Sequence, residues 1–355
     1  MIRLRPSQGV ALLFCSAMLA VPAQADTPSG INALSEWNLI VLGNLTSSSE
    51  VEGRTFVGGN LTGNSSNYNI KPGTPSPSAQ PGLIVVGDVT GGTKNLNNGS
   101  GAIIGGNVSS GFNLNGNPQT VQVGGSIANT NVNQNTVNSG LATSNPGFIQ
   151  NLQQDKSLLT TSMNNLSHEM STFSANSTMQ ISGNRGTFNA QPGADGMAVF
   201  NITSDQLNKI GEIQFNVNGA GTVIVNVSGT SINLNDNFLG GTSNLGEKVI
   251  WNFPEAENLT LTTAWGGSVL APKADASTSN SINGSAIFGN LNQNGKMQAS
   301  TYKGGYVPPE TPPAGSTSGG SSSSGGTEVP EPGMLVLFGL ALGGLFFWRR
   351  RRTAA

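Results

Sequence analysis

Apolar and polar residues alternate along much of this chain, and the alternation recurs in short copies built around a shared glycine. Five early copies align at Gly43, Gly59, Gly87, Gly106 and Gly125. Two residues before the glycine, the copies carry Val41, Val57, Val85, Ile104 and Val123. Two residues after it, they carry Leu45, Leu61, Val89, Val108 and Ile127. Residues two apart share one face of a β-strand, so both sets and the glycine are predicted to point inward, with the glycine at a corner.

The position three residues before the glycine is predicted to point outward, although it is mostly apolar. It holds Ile40, Phe56, Ile84, Ile103 and Gln122. An exposed row of large apolar side chains is unusual on a monomer. We therefore expect another element of the fold to cover this row, and the candidate is a helix further along the chain.

The last three aligned glycines are 19 residues apart, and the earlier gaps are 16 and 28 residues. A repeat this short cannot bury its own apolar face, so successive copies must stack on one another. Short strands, corners rich in Gly, Asn, Asp and Ser, and a period near 19 favour a β-solenoid with one repeat per coil. A β-sandwich of hairpins also fits the alternation, but it gives no reason for the aligned glycines.

After Ser144 the spacing changes to that of a helix. One apolar face is formed by Phe148, Leu152, Leu159, Met163, Leu166 and Met170. We predict one long helix at about 146–173, with Ser144 or Asn145 as its cap and Pro146 near its first turn. Period-two spacing returns at Ile213, and a last glycine copy lies at 287–291. The predicted fold class is mainly β: an irregular right-handed β-solenoid (β-helix) over residues 26–307, with the α-helix packed alongside.

The N-terminal segment is predicted to be removed during export. Arg3 and Arg5 precede an apolar stretch at 10–21, and Ala23 and Ala25 form a small-x-small cleavage site. Residues 1–25 are therefore predicted to be a signal peptide cut by signal peptidase. The only cysteine, Cys15, lies within it. The mature protein would then have no disulfide, thiol nucleophile or cysteine metal site.

The C-terminal end carries a second sorting pattern. A Pro/Gly/Ser-rich linker at 308–328 leads to Val329, Pro330, Glu331 and Pro332, to an apolar run at 333–348, and to Arg349, Arg350, Arg351 and Arg352. The run is shorter than the roughly 20 residues that a spanning helix needs. Residues 329–355 resemble the PEP-CTERM sorting signal of Gram-negative bacteria. That resemblance implies a single transmembrane sorting helix, held transiently in the inner membrane and removed by an exosortase; an ordinary tail anchor is the alternative.

Charge and composition narrow the functional classes. Between Asp26 and Glu328 there are ten Lys or Arg and 17 Asp or Glu, a net charge of about −7. No basic patch with interleaved aromatic residues remains, which argues against nucleic acid as a partner. Few charges together with abundant Asn, Ser, Thr and Gly indicate a secreted structural or binding protein.

Few residues are candidates for chemistry. His168, the only histidine, is predicted to be solvated on the helix beside Glu169. The acid pairs Glu50/Glu52 and Glu255/Glu257 could bind Ca²⁺ or act in glycoside cleavage. We favour a structural role instead, with Glu52 ion-paired to Arg54 beside the first Gly-Gly corner. We therefore expect no catalytic residue, no metal and no cofactor. Frequent Asn-x-Ser/Thr triplets recur within the glycine repeat, and we interpret them as turn and ladder residues.

Two longer stretches resemble the signatures of the choice-of-anchor A domain. They are Val51-Glu52-Gly53-Arg54-Thr55-Phe56-Val57-Gly58-Gly59-Asn60 and Trp265-Gly266-Gly267-Ser268-Val269-Leu270-Ala271-Pro272-Lys273-Ala274. The resemblance covers roughly residues 31–307 and implies an adhesive or matrix-associated module without enzymatic chemistry. The strand–helix–strand layout is also similar to the secreted ice-binding β-helix fold.

These observations predict an exported, non-enzymatic protein of the cell surface or extracellular matrix, with an adhesive or structural role. The expected partners are exosortase and signal peptidase during processing, and exopolysaccharide or surface glycans afterwards. Binding would use rows of side chains on flat faces, repeated about every 4.8 Å from coil to coil. Ice binding and, less favoured, polysaccharide degradation are the alternatives.

Overall fold

A computed structural model describes residues 27–306, except 72–79, 117–118, 134 and 244. The predicted signal peptide with Ala23 and Ala25, the linker at 308–328 and the sorting segment at 329–355 lie outside the described residues. Among the residues that are described, no helix is both long and apolar enough to cross a membrane.

Four helices are present in the described part of the chain. They are α1 (Ile31–Glu36), α2 (Leu141–Ser144), α3 (Gly147–Ser171) and α4 (Ser204–Leu207). The long helix predicted at 146–173 is α3, and all six of its predicted apolar-face residues are buried. The predicted cap is wrong: Ser144 ends α2, and the N-cap of α3 is Pro146, which makes no side-chain capping bond.

The remainder is mostly short strands. The strands of the first half are β1 (Leu39–Val41), β2 (Leu45–Ser47), β3 (Glu50–Val51), β4 (Thr55–Val57), β5 (Leu61–Thr62), β6 (Ser66–Tyr68), β7 (Leu83–Val85), β8 (Lys94–Leu96), β9 (Ala102–Ile104), β10 (Phe112–Leu114), β11 (Thr120–Val123), β12 (Thr130–Asn131) and β13 (Thr136–Asn138). Those of the second half are β14 (Met179–Ser182), β15 (Arg185–Asn189), β16 (Met197–Thr203), β17 (Glu212–Asn216), β18 (Thr222–Ser228), β19 (Ser231–Leu234), β20 (Asn237–Leu239), β21 (Val249–Asn252), β22 (Asn258–Leu261), β23 (Trp265–Gly266), β24 (Ser268–Thr278), β25 (Ile282–Asn283), β26 (Ala286–Gln293) and β27 (Met297–Gln298).

The strands stack in parallel. Leu83 pairs with Ala102 and Ala102 with Val121, which is the predicted 19-residue step. Of the strand pairs described, only β14 with β15 is antiparallel. Hairpins join antiparallel strands, so the β-sandwich alternative is wrong and the predicted stack of parallel strands is confirmed. Its right-handed winding stays a prediction.

The order of strands in space differs from their order in the chain. The largest sheet runs β13-β11-β9-β7-β4-β1-β26-β24-β21-β18-β16. The chain therefore winds outward from β1 to β13, returns through α3, and winds back from β16 until β26 pairs with β1. A helix of this length spans about 37 Å, or about eight strand spacings, which suits it to this return path. A second sheet runs β12-β10-β8-β6-β3-β27-β25-β23, and a third β14-β15-β17-β20.

Two apolar cores fill the described part of the molecule. The interior core contains all five residues predicted two before the glycine, and four of the five predicted two after it, with Ile127 partly buried against them. The second core lies between the largest sheet and α3. It contains Ile40, Phe56 and Ile84, with Ile103 packed against it, together with the apolar face of the helix. The outward apolar row is therefore covered by α3, as expected, together with α1, since Ala33 and Leu34 belong to the same core and Trp37 packs on Phe56 at 5.9 Å between ring centroids.

The inward placement of the aligned glycines is wrong. Gly43, Gly59, Gly87, Gly106 and Gly125 are half-exposed. A Cβ atom at Gly59 would overlap Oδ1 of Asn44, and one at Gly106 would overlap Oδ1 of Asp88. The glycine is needed because the polar side chain of the adjacent coil occupies the place of its missing Cβ, rather than because the backbone bends into the core.

Candidate functional site

A continuous ladder of polar side chains begins immediately after the glycine corner. Asn290 Oδ1 accepts a hydrogen bond from the N–H of Asn44 at 2.8 Å, and Asn44 Oδ1 accepts one from the N–H of Asn60 at 2.9 Å. The same bond joins Asn60 to Asp88 at 2.8 Å and Asp88 to Asn107 at 2.6 Å. Each side chain thus satisfies a backbone donor of the adjacent coil, which fixes its rotamer.

A second row lies two residues further along the same strands, on the same side of the sheet. Thr46 and Thr62 are paired in register, and their hydroxyls are 3.0 Å apart. Ser277 donates to the hydroxyl of Thr260 at 3.4 Å on the neighbouring strands. Hydroxyl groups therefore dominate the second row, whereas amides dominate the first.

The two rows together form what we call the ladder face. The first row is Ser231, Asn258, Asp275, Asn290, Asn44, Asn60, Asp88, Asn107 and Ser126, and the second is Asn233, Thr260, Ser277, Asn292, Thr46, Thr62, Thr90, Ser109 and Ala128. Every member is exposed or half-buried, and the residue between each pair points into the interior core or packs against it. Nine stacked positions cover roughly 40 Å at the usual strand spacing.

The chemistry of the ladder face is polar and weakly acidic. Asp88 and Asp275 are its two carboxylates, and neither row contains a lysine or arginine. Neither row contains an aromatic side chain either, so this surface can hydrogen-bond a ligand but cannot stack against it. Such a surface can recognise a periodic array of hydroxyl groups.

The acid pair Glu50/Glu52 belongs to an ion network at the closing joint between β3 and β27. Lys296 contacts Glu50 at 3.2 Å and Glu52 at 3.0 Å, and Lys71 contacts Glu52 at 2.7 Å. The expected Glu52–Arg54 pair is wrong, because Arg54 contacts Glu36 at 3.4 Å instead. Burial raises the pKa of Glu52, but hydrogen bonds from the two lysines and one backbone N–H more than offset this, so the pKa lies below its ordinary value. This pair stabilises the fold.

A cleft of about 560 Å³ lies beside the second half of α3, and its lining includes His168, Glu255 and Lys273. His168 is exposed, as predicted, and Glu257 is exposed but not part of the lining. Two amides in the cleft are already engaged: Asn226 donates to Met170 O at 2.8 Å and to Asn201 Oδ1 at 2.9 Å. The amides that line the cleft therefore serve to attach α3 to the sheet.

The ladder face was not predicted as a site, although its sequence signal is visible. The Asn-x-Ser/Thr triplets recur in phase with the glycine repeat, as in 44–46, 60–62 and 107–109. Their interpretation as ladder residues is confirmed by the hydrogen bonds along the first row. What the triplets could not show is that β19, β22, β24 and β26 continue both rows from the other half of the chain.

Residues 30–299 match the family described as "Putative Ice-binding-like adhesive domain". Residues 328–352 match the PEP-CTERM protein-sorting motif, which confirms the interpretation of the tail as a sorting signal. No curated protein and no solved structure matches the chain. The tail match indicates export, transient membrane anchoring and processing by an exosortase. Because the first match spans more than half of its length, the chain belongs to the ice-binding-like adhesive domain family.

Proposed function

We propose that this exported protein is a non-enzymatic adhesive component of the cell surface, and that the ladder face holds it to exopolysaccharide of the extracellular matrix. The observation that carries the proposal is the double row of amides and hydroxyls, exposed over nine stacked positions. Individual hydrogen bonds to a ligand are weak, about 1 kcal/mol each. A long row can add many of them along one polymer.

Two further features support this reading. The sorting signal indicates export, which would bring the domain to the side of the membrane where exopolysaccharide lies. The resemblance of residues 51–60 and 265–274 to the choice-of-anchor A signatures points to the same kind of module. The Pro/Gly/Ser-rich linker at 308–328 would keep the domain at a distance from the membrane until the tail is removed.

The proposal is tested in the native host with the full-length protein. Thr46→Arg combined with Asn292→Arg places two bulky cations on adjacent, exposed positions of the ladder face. We expect the secreted protein to move from the matrix fraction to the free medium. The matched control is Thr136→Arg, an exposed residue of β13 outside the ladder face. Unchanged retention of the double variant in the matrix would contradict the proposal.

The absence of catalysis is tested separately, with a panel of matrix and plant polysaccharides. We expect no shortening of any polymer by the purified protein. Robust hydrolysis or lysis would make the domain an enzyme, and the cleft with His168 and Glu255 would then be the first place to substitute.

Ice binding is the second candidate, and the family match together with the flat, regular rows favours it. The rows are less uniform than a threonine array, because Asn, Asp, Ser and Ala share them with Thr. Thermal hysteresis and inhibition of ice recrystallisation by the purified protein decide between the two. A clear hysteresis that Thr46→Arg/Asn292→Arg abolishes would establish ice as the ligand.

A further inference from the structure

We infer that the ladder face takes a neutral, fully extended polysaccharide that lies across the strands, along the stacking direction, with about one sugar ring per coil. This inference rests on the proposed function, because it names the class of polymer that the same face would hold. The spacing of the two rows, the ordered amide donors of the first row and the charge of the ladder face each support the inference.

The spacing of the rows sets the direction of the ligand. Along the stack, equivalent side chains recur about every 4.8 Å, and the two rows are two residues apart on each strand, about 6.7 Å. A β-1,4-linked pyranose chain in its ribbon form advances by nearly one strand spacing per ring and carries hydroxyls on both edges. Such a chain can contact both rows at every coil. An α-1,4-linked glucan coils and leaves the surface after a few rings.

Two amides of the first row, those of Asn44 and Asn60, are held in place before a ligand arrives, whereas Asn290 Nδ2 already donates to Asp275 Oδ1 at 2.7 Å. The Oδ1 atoms of Asn44 and Asn60 accept backbone hydrogen bonds from the adjacent coil, which fixes both amide planes. Their Nδ2 groups donate to no other residue in the described part of the chain. Ordering a side chain on binding costs about 0.5–1.5 kcal/mol, and these side chains are already ordered. Weak bonds from these amides and from the hydroxyls of the second row can therefore accumulate with chain length.

Charge selects a neutral polymer over an acidic one. Asp88 and Asp275 lie in the first row, four positions apart, with Asn290, Asn44 and Asn60 between them. A polyuronate lying along the rows would bring a carboxylate close to each of them. No lysine or arginine of the two rows offsets that repulsion.

The experiment compares soluble oligosaccharides by calorimetry with the mature secreted protein. Cello-oligosaccharides from the disaccharide to the hexasaccharide are the β-1,4 probes, and malto-oligosaccharides of the same lengths are the α-linked probes. Oligomannuronates, which are β-1,4-linked like the cello series, are the acidic probes. We expect the Kd for the β-1,4 series to fall by about tenfold or more with length. We expect no such dependence for the α-linked series and no binding of the acidic one.

Thr46→Val with Thr62→Val removes two hydroxyls and keeps the branched shape that suits a strand. We expect this pair to weaken hexasaccharide binding by about fivefold to tenfold, and the matched Thr136→Val to leave it unchanged. Length-independent binding, equal binding of the α-linked series, preference for oligomannuronate, or insensitivity to the paired substitution would each overturn the inference. If Thr46→Arg/Asn292→Arg still releases the protein from the matrix in that case, the adhesive role stands with a different polymer.

Discussion

Ile104 and Gln122 lie on the neighbouring strands β9 and β11 but occupy opposite sides of the sheet. Ile104 is fully buried in the interior core, whereas Gln122 is half-buried outside it. Ile104→Asp would bury an unpaired carboxylate, so we expect it to lower the free energy of unfolding by about 3 kcal/mol or more. Gln122→Asp should lower it by less than about 1 kcal/mol. Urea unfolding measures both, and equal losses would refute the assignment of the two faces.

Asp236 is a buried carboxyl group that should make the stability of the protein depend on pH. It is 1% exposed, and no other described residue donates a hydrogen bond to its carboxylate. Burial raises its pKa to about 7, although a bond from its own backbone N–H opposes this. The folded state therefore holds the proton more tightly than the unfolded chain. As pH rises from about 4 to 7, stability is lost, and above pH 7 the loss is constant.

Asp236→Asn should remove that loss. At pH 8 we expect the variant to be more stable than the parent by on the order of 3 kcal/mol, and at pH 4 we expect the two to be equal. The free energies of unfolding of parent and variant, measured at pH 4 and pH 8, test this expectation. The control is Glu257→Gln at an exposed position, which should leave the unfolding free energy unchanged at both pH values. A stability difference that is the same at pH 4 and pH 8 would show that Asp236 does not ionise within this range.

At the scale of the strand and its corner, the ladder and the glycine depend on each other. Gly106 gives room to the Asp88 side chain, whose Oδ1 accepts from the N–H of Asn107 at 2.6 Å. Gly106→Ala would displace Asp88 and the nearby backbone, so we expect a loss of about 1–3 kcal/mol. The matched control is Gly147→Ala at the start of α3, where a Cβ meets nothing closer than 3.7 Å.

The control should be neutral or slightly stabilising, because alanine favours a helix over glycine by roughly 0.5–1 kcal/mol. Thermal and urea unfolding compare the two variants directly. Similar stability for Gly106→Ala and Gly147→Ala would mean that the corner glycines do not make room for the ladder.

At the scale of the whole molecule, the prediction concerns processing. The sorting signal at 328–352 is a substrate for removal, and the apolar run of 16 residues is shorter than the roughly 20 that span a bilayer. We predict a secreted protein that begins near Asp26 and ends near Pro330, without the four C-terminal arginines. Intact mass of the protein from its native host tests this. A mass that includes 333–355 would make it a permanently anchored protein.

The sequence alone determined the repeat, its inward apolar positions and the long helix. These depend on local periodicity, because side chains two apart share a strand face and those three or four apart share a helix face. The same local reasoning identified both sorting segments as candidates. It misplaced the corner glycines and the partner of Glu52, because those depend on which coil lies next in space.

Tertiary structure alone decided how the two halves of the chain combine. Strand β26 pairs with β2 across 246 positions of sequence, and only that pairing joins the polar rows of both halves into one ladder face. It also decided that α3 and α1 together cover Ile40, Phe56 and Ile84, which leaves the ladder face, rather than the apolar row, open to a ligand. The physical reason is that stacking order is set by the burial of whole faces, to which residues far apart in the chain contribute together.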